Sequence, residues 1–229
     1  MSLLDLFIFD QNASFIEGVY SSPLIFLSLL IAVLASFMTF IVSSQASVTH
    51  NLARKNVLII TGSFALGGGV WSMHFIGMLA LELCTEVTYD VSITLLSAIP
   101  GVAASYVALH LLTKNKVSFT EILQGGVLMG LGIGSMHYIG MTAMDMAPFL
   151  RYDLSLFVLS IAVSIALAML ALWIKFGISG SVSDKSESMK YVTLASLVMG
   201  FAISGMHYIG MAAARFLLPP GVEVSTQSS

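Results

Sequence analysis

The chain has 229 residues, of which 57% are hydrophobic and only 9% charged, and its mean hydropathy is +0.95. A soluble domain carries about 25% charged residues, so this composition excludes an ordinary soluble protein and indicates a lipid bilayer as its surroundings. The formal net charge of -3 says little about partners, because the few charges are confined to short connections between apolar runs, and nothing in the sequence resembles a nucleic-acid-binding surface. The single cysteine, Cys84, excludes an internal disulfide and a cysteine-based zinc motif.

Six apolar runs are long enough to cross a hydrocarbon core, which takes roughly 20 helical residues. In chain order they lie near 22–44, 56–80, 91–113, 120–144, 154–176 and 190–215. The apolar segment Leu3 to Phe9 is too short to span, and we interpret it as an interfacial or capping piece. No Lys or Arg precedes Arg54, so the chain lacks the basic region of a cleaved signal peptide. The sequence predicts an all-α membrane protein with six transmembrane helices.

The basic residues predict the orientation, because cytoplasmic loops collect Lys and Arg. The first, third and fifth connections contain Arg54, Lys55, Lys114, Lys116, Lys175, Lys185 and Lys190, whereas the opposite side contains Arg151 and Arg215. Both termini are therefore expected outside. We divide the chain into an outer N-terminal segment, 1–21, a six-helix membrane domain, 22–215, and a short polar outer tail, 216–229.

One seven-residue sequence motif occurs three times, as "SMHFIGM" from Ser72, "SMHYIGM" from Ser135 and "GMHYIGM" from Gly205. The three copies of the motif lie on helices two, four and six. Each histidine is expected six to eight residues before its helix end, roughly 10 Å beneath the outer boundary of the membrane. Glycines recur seven residues before the histidine and three after it, at Gly67, Gly130, Gly200, Gly77, Gly140 and Gly210. This spacing predicts three tandem two-helix repeats in a pseudo-threefold arrangement.

Each histidine and the methionine four residues later lie on nearly the same helical face. Imidazole and thioether donors together suit copper, and thioether favours its cuprous state. Three such helices at one depth could form a metal site with an open position for a small diatomic ligand. The predicted ligands are His74, His137, His207, Met78, Met141 and Met211.

The residues beside each histidine are candidates for lining the site. The preceding methionines, Met73, Met136 and Met206, are turned about 100° away, so we expect them to pack between helices or border the site. The following residues are Phe75, Tyr138 and Tyr208, and only the two tyrosines can hydrogen-bond a ligand. Glu82, Asp145 and Arg215, each eight residues after a histidine, are candidates for a polar lid.

The alternative is that the three histidines only pack, since a duplicated hairpin repeats its residues whether or not they bind anything. Against this, ionisable groups inside a bilayer are costly and usually functional. His50 and His110 stand alone, and we interpret both as structural.

The three M-H-[FY]-I-G-M frames on alternate helices resemble the MHYT family of bacterial integral membrane sensor domains, from about Pro23 to Arg215. The resemblance implies a metal, expected to be copper, bound near the outer face of the bacterial cytoplasmic membrane, and sensing of oxygen, carbon monoxide or nitric oxide. It also implies a covalently attached cytoplasmic output domain such as a cyclic-di-GMP enzyme. The sequence departs from the family at Ile76, Ile139 and Ile209, which replace Thr, and at Phe75, which replaces Tyr.

A chain whose sixth helix ends outside needs one more crossing to reach such an output domain, so we expect that crossing beyond residue 229. Two other functions remain open: a copper-handling carrier, and a membrane module that binds a small molecule or lipid without metal. We expect no enzymatic activity, because the sequence shows no nucleophile with its base and no paired acid and base in the core. A homodimer is compatible with the sequence.

Overall fold

A computed structural model describes residues 6–7, 15–16, 18–114, 117–146, 148–178 and 185–217. The helices are α1 (Ser22–Ser47), α2 (Leu52–Leu79), α3 (Val91–Leu96), α4 (Ala98–Leu112), α5 (Phe119–Met141), α6 (Leu154–Trp173) and α7 (Lys185–Ala213). A π-helical turn, Ile174–Ile178, extends α6. The short strands are β1 (Val19–Tyr20), β2 (Leu81–Glu82), β3 (Thr88–Tyr89), β4 (Met144–Asp145), β5 (Phe149–Tyr152) and β6 (Ala214–Leu217).

Local chemistry explains where the helices begin. The side chains of Asn51, Asp90 and Asp153 each accept a hydrogen bond from the backbone N–H three residues later, at 3.1, 2.9 and 3.1 Å. Ser118 begins α5 with a capping box completed by Glu121. These caps satisfy backbone N–H groups that have no partner within the helix.

Within the described residues, six helices are long and apolar enough to span a membrane, with α3 and α4 forming one continuous span, Val91–Leu112. The six spans form a closed ring in which each contacts its two neighbours, in the order α1, α2, α4, α5, α6, α7 and back to α1. In addition, α2, α5 and α7 contact one another. We call these three the central helices and α1, α3–α4 and α6 the peripheral helices. The predicted all-α membrane fold of three tandem pairs is confirmed.

The six strands form three antiparallel ladders at one end of the bundle, which we call the strand end. β1 pairs with β2, β3 with β4, and β5 with β6. Each ladder joins the strand before a peripheral helix to the strand after the central helix of the same pair. The three repeats are therefore closed in the same way.

A backbone hydrogen bond of 2.8 Å marks each of these closures. The N–H groups of Ser21, Asp90 and Asp153 donate to the carbonyls of Ala80, Ala143 and Ala213, respectively. The central helices consequently end earlier than the sequence indicated, because their last residues turn into the ladders. α5 ends at Met141 instead of near 144, and α7 ends at Ala213 instead of near 215.

The predicted N-terminal segment and C-terminal tail are described only in part. Leu6 and Phe7 pack against the apolar cluster at the strand end. The interfacial or capping role of this piece stays a prediction. Phe216 and Leu217 belong to β6, so the tail begins after them. The remaining residues of both segments, and Lys116, lie outside the described residues.

Two apolar clusters make up the core. The larger one fills the body of the bundle and includes Met73, Met136 and Met206. The smaller one lies at the strand end and includes Met78, Met141 and Met211. The three repeated histidines are buried between these two methionine sets along the central helices.

Candidate metal centre

The three repeated histidines meet at the centre of the bundle. His74, His137 and His207 are buried, with exposed fractions of 0, 1 and 1%. Their Nδ1 atoms form a triangle with sides of 3.1, 3.2 and 3.2 Å. The rings stand at 83 to 89° to one another, with centroids 4.9 to 5.2 Å apart. The pseudo-threefold arrangement therefore extends to the side chains.

The glycine three residues after each histidine makes room for the histidine of another repeat. A Cβ atom added at Gly140 would overlap Nε2 of His74. The same holds for Gly210 against His137, and for Gly77 against His207. The contacts run in one direction around the bundle, so each imidazole lies against the backbone of the next central helix. The repeated glycine is therefore required at these three positions by close approach.

The three Nδ1–Nδ1 contacts cannot all be hydrogen bonds at the same time. A neutral imidazole nitrogen either carries a hydrogen and donates it or presents a lone pair and accepts. Because a ring of three cannot alternate two roles, at least one of the three contacts must join two donors or two acceptors. A single cation that accepts a lone pair from each nitrogen removes this conflict.

The dimensions of the triangle suit a first-row metal ion. Metal–imidazole bonds of about 2.0–2.1 Å place two ligand nitrogens about 2.8–3.0 Å apart at a right angle and about 3.3–3.4 Å apart at the tetrahedral angle. The observed sides of 3.1 to 3.2 Å lie between these two ranges. Within the described part of the chain, these histidines are the one group of His, Cys, Asp or Glu found close enough to hold an ion.

The outward-facing nitrogens would carry the hydrogens if the triad bound a metal ion. With all three Nδ1 lone pairs directed inward, the hydrogen of each neutral imidazole resides on Nε2. The three Nε2 atoms are buried and have no hydrogen-bond partner among the described residues. Each lies instead against the backbone of a central helix, which holds the ring orientation by packing.

The predicted methionines lie on both sides of the histidines. Met78, Met141 and Met211 are buried at the strand end. Met73, Met136 and Met206 are buried on the other side, within the larger cluster. Met136 packs near Gly101 of α4 and Met206 near Gly134 of α5, so these two occupy spaces between helices, as their direction on the helix predicted.

We call the interface between a central helix and the peripheral helix that follows it around the bundle a seam. The aromatic residue after each histidine packs against that histidine and against a tyrosine at the seam of its own central helix. Phe75, Tyr138 and Tyr208 all lie with their ring centroids 4.8 Å from the preceding imidazole. Their second partners are Tyr89, Tyr152 and Tyr20, respectively, at 5.9, 5.3 and 6.1 Å. These tyrosines were missed by sequence reasoning, although each stands two residues before a peripheral helix.

These second tyrosines are partly or largely withdrawn from water. Burial raises the pKa of Tyr89 and of Tyr152, and burial together with the nearby Tyr208 raises the pKa of Tyr20. Because an unperturbed tyrosine already titrates near pH 10, all three hydroxyls are neutral at physiological pH.

Serine hydroxyls link the central helices to the peripheral helices at the same level. The hydroxyl of Tyr208 hydrogen-bonds that of Ser28 at 2.7 Å, and the hydroxyl of Tyr138 hydrogen-bonds that of Ser160 at 2.8 Å. Ser97 is the third equivalent serine, since each stands six residues after the start of its peripheral helix. These serines were also missed by sequence reasoning, although their common spacing could have revealed them.

The first repeat replaces the missing hydroxyl of Phe75 with another donor. The indole Nε1–H of Trp71 donates to the Ser97 hydroxyl at 3.2 Å and to the Thr94 carbonyl at 3.0 Å. All three seams between central and following peripheral helices therefore have a polar link near the histidine level. The Phe75 departure noted in the sequence is compensated within the same repeat.

The other polar candidates lie away from the histidines. Glu82 and Asp145 are exposed on β2 and β4, and Arg215 is half-buried on β6, so no described contact joins the three into a lid. Cys84 is exposed, as are His50 and His110.

Comparison with known proteins gives several matches and no structural one. The family model named MHYT, described as "Bacterial signalling protein N terminal repeat", matches residues 67–125, 130–185 and 200–227. The chain is 40% identical over 202 residues to "Bifunctional diguanylate cyclase/cyclic di-GMP phosphodiesterase MucR" of Pseudomonas aeruginosa. It is 36% identical over 217 residues to "Signaling protein YkoW" of Bacillus subtilis. It is 35% identical over 210 residues to "Cyclic di-GMP phosphodiesterase NbdA" of Pseudomonas aeruginosa.

These alignments cover 87, 93 and 92% of this chain. They cover only 28, 27 and 26% of the respective relatives, so the chain spans roughly a quarter of their length. No solved structure matches the chain.

Proposed function

Because the chain belongs to the MHYT family of bacterial signalling repeats, we propose that it is a membrane sensor module with a metal ion held by His74, His137 and His207. The observation that carries this proposal is the triangle of Nδ1 atoms with sides of 3.1 to 3.2 Å at the buried centre of the bundle. The three imidazoles would hold the metal, which would supply a position for a diatomic ligand or a change of oxidation state.

The neighbouring residues support copper as the metal. Three buried methionines, Met78, Met141 and Met211, lie on the same helices four residues after the histidines, and thioether sulfur is a soft donor that favours Cu(I). A site of neutral imidazoles and thioethers adds no negative charge, which suits a monovalent ion in an apolar interior. We therefore propose copper over zinc, with oxygen, carbon monoxide, nitric oxide or redox state as the signal.

The chain's own residues would transmit a change at the triad. Each imidazole packs against the backbone of the next central helix, so a shift of one ring displaces a neighbouring helix. The aromatic residue after each histidine contacts that imidazole directly. Through Tyr138 and Tyr208 the contact continues to serines of the peripheral helices α6 and α1.

We propose that the signal passes to a covalently attached cytoplasmic domain. Two of the relatives are named for diguanylate cyclase or cyclic di-GMP phosphodiesterase activity, and this chain aligns with about a quarter of their length. The present region would then be the non-catalytic sensor of a cyclic di-GMP signalling protein in the bacterial cytoplasmic membrane. The strand end would face outward, since the opposite end carries Arg54, Lys55 and Lys114.

Elemental analysis of the purified protein tests the metal assignment. In detergent and after loading with Cu(I), the parent protein is expected to retain copper, whereas the H74A/H137A/H207A variant retains none above background. The control is H50A/H110A, which removes two exposed histidines and should keep the parent content.

A second variant separates loss of ligands from loss of fold. His137→Asn keeps a polar, though smaller, side chain and should still elute as a monodisperse species while losing copper. Equal copper in the parent protein and in both ligand variants would show that the triad is not the site.

A further inference from the structure

The space around each aromatic residue that follows a histidine is filled differently in the three repeats. Tyr138 is covered by Phe157 of α6, with ring centroids 4.3 Å apart, and Phe157 is covered in turn by Phe7 at 5.1 Å. Phe75 is covered by Trp71 at 4.9 Å. These two seams are closed by large rings.

The third seam, between α7 and α1, has no such ring among the described residues. Ile25 occupies the position of α1 that Phe157 occupies in α6, since both are the fourth residue of their helix. The ring pair Tyr208 and Tyr20 is also the widest of the three equivalent pairs, at 6.1 Å. A cavity of about 590 Å³ opens here at the strand end.

The lining of this cavity combines apolar walls with three polar groups. Ile25, Leu81, Met211 and Phe216 contribute apolar surface. The lining residues whose side chains carry polar groups are Tyr20, Tyr208 and Arg215, and the Tyr208 hydroxyl is already hydrogen-bonded to Ser28. Small-molecule sites in proteins typically have about 300–1,000 Å³ and a few polar groups among apolar walls.

Arg215 determines the sign of charge that the cavity accepts. One of its nitrogens donates to the Ala212 carbonyl at 2.7 Å, and another lies 4.0 Å from the Asp153 carboxylate, too far for a hydrogen bond. A further contact to the Ala214 carbonyl measures 3.4 Å, so among the described residues the guanidinium keeps N–H donors that no close partner uses. Tyr20, which also lines the cavity, carries a neutral hydroxyl that has no hydrogen-bond partner within the described part of the chain.

We propose that this cavity binds an amphiphile with an apolar body and a single anionic head, either a carboxylate or a phosphate. The head is held by Arg215 and the Tyr20 hydroxyl, and the body lies against Ile25, Leu81 and Met211. Such a molecule would contact Tyr208, the residue after His207, without requiring a metal at the triad. This site is separate from the proposed metal function.

Binding of a fluorescent fatty acid tests the proposal. The full chain in phosphatidylcholine nanodiscs is titrated with dansylundecanoate, and the signal of empty nanodiscs is subtracted. Sodium decanoate and decyl phosphate are expected to displace the probe, whereas decyltrimethylammonium is not. Displacement by phosphatidylglycerol in the nanodisc would identify a lipid head as the source, and displacement by decanoate alone would identify a free amphiphile.

Two variants, each with a matched control, locate the site. Arg215→Gln is expected to weaken probe binding by about tenfold or more, the effect of losing a charge-assisted hydrogen bond. Arg151 is the residue opposite Arg215 in the ladder and does not line the cavity, so Arg151→Gln should bind within about twofold of the parent protein.

Ala212→Trp fills the cavity from an exposed position and should abolish binding. Thr142→Trp, at the equivalent exposed position of the second repeat, should not. Equal displacement by the cationic and anionic amphiphiles would overturn the proposal, as would equal affinity in Arg215→Gln and Arg151→Gln.

Discussion

At the scale of single residues, the ability of the histidine triad to bind a metal depends on which ring nitrogen of each histidine points inward. Nδ1 of each ring faces the centre, while Nε2 faces a glycine backbone. This assignment depends on the direction of the side chains and cannot be read from the repeated motif. The sequence predicted the three histidines as ligands, and the structure brings them together, while the role of the methionines stays a prediction.

The methionines can be tested by comparing the two buried sets. Replacing Met78, Met141 and Met211 by Leu should weaken Cu(I) binding by at least about tenfold, the loss typical of a removed supporting group. Zn(II) binding should change little, because zinc gains little from thioethers. Competition with a Cu(I)-specific chelator measures the first affinity, and a zinc chelator measures the second.

The control for this experiment is the matching change on the other side of the histidines, in Met73, Met136 and Met206. These are expected to serve as packing residues, so their replacement by Leu should leave both affinities unchanged. Met-to-Leu exchanges usually cost less than about 1.5 kcal/mol of stability, which keeps both variants folded. A loss of Cu(I) affinity in the control set alone would reverse the assignment of ligands.

At the scale of helices, close approach between the central helices depends on glycines that accept imidazole rings. A Cβ at Gly140 would occupy the space of the His74 ring, whereas a Cβ at Gly68 of α2 would meet nothing within 4 Å. The GxxxG pattern predicted close packing in general, because small residues allow helices in lipid to approach. It did not reveal that the partners are the histidines of other repeats.

Gly140→Ala is therefore expected to displace His74 and to reduce the metal content of the purified protein. Overpacking of this kind typically costs about 1–3 kcal/mol of stability. Gly68→Ala should keep full metal content and be neutral or stabilising, because alanine favours a helix over glycine by up to about 1 kcal/mol. Both variants are compared by thermal unfolding in detergent and by elemental analysis. Equal stability and equal metal content in the two variants would contradict the packing argument.

At the scale of the whole molecule, the charge bias predicts that the strand end faces outward. Cys84 lies between β2 and β3 at that end and is exposed. His50 lies between α1 and α2 at the opposite end and is also exposed. The chain thus carries one natural thiol at a position that reports its orientation.

A membrane-impermeant maleimide applied to intact cells should label Cys84. In the C84S/H50C variant, labelling should appear only after the membrane is permeabilised. Labelling of H50C and not of Cys84 in intact cells would mean that the orientation is inverted, and would place the triad near the cytoplasmic face.

The sequence alone determined the class of the protein, the number of spans and the common depth of three histidines. These properties follow from the length of apolar runs and from duplication, both of which are visible along one chain. The helix N-caps at Asn51 and Asp153 also depend only on neighbours in the chain, because each side chain bonds the backbone N–H three residues later. The two-residue ladders at the strand end were not predictable, because such short strands have no periodicity of their own.

Only the tertiary structure decided that the Nδ1 atoms meet within 3.2 Å, that Trp71 supplies the polar link that Phe75 lacks, and that one of three seams stays open. Each of these depends on distances between residues far apart in the chain. The repeats are alike in sequence, but single side chains such as Ile25 and Phe157 break their equivalence. The repeated motif specifies the pseudo-threefold arrangement of the helices. The residues that differ between the repeats, and the way they pack, decide where a cavity forms.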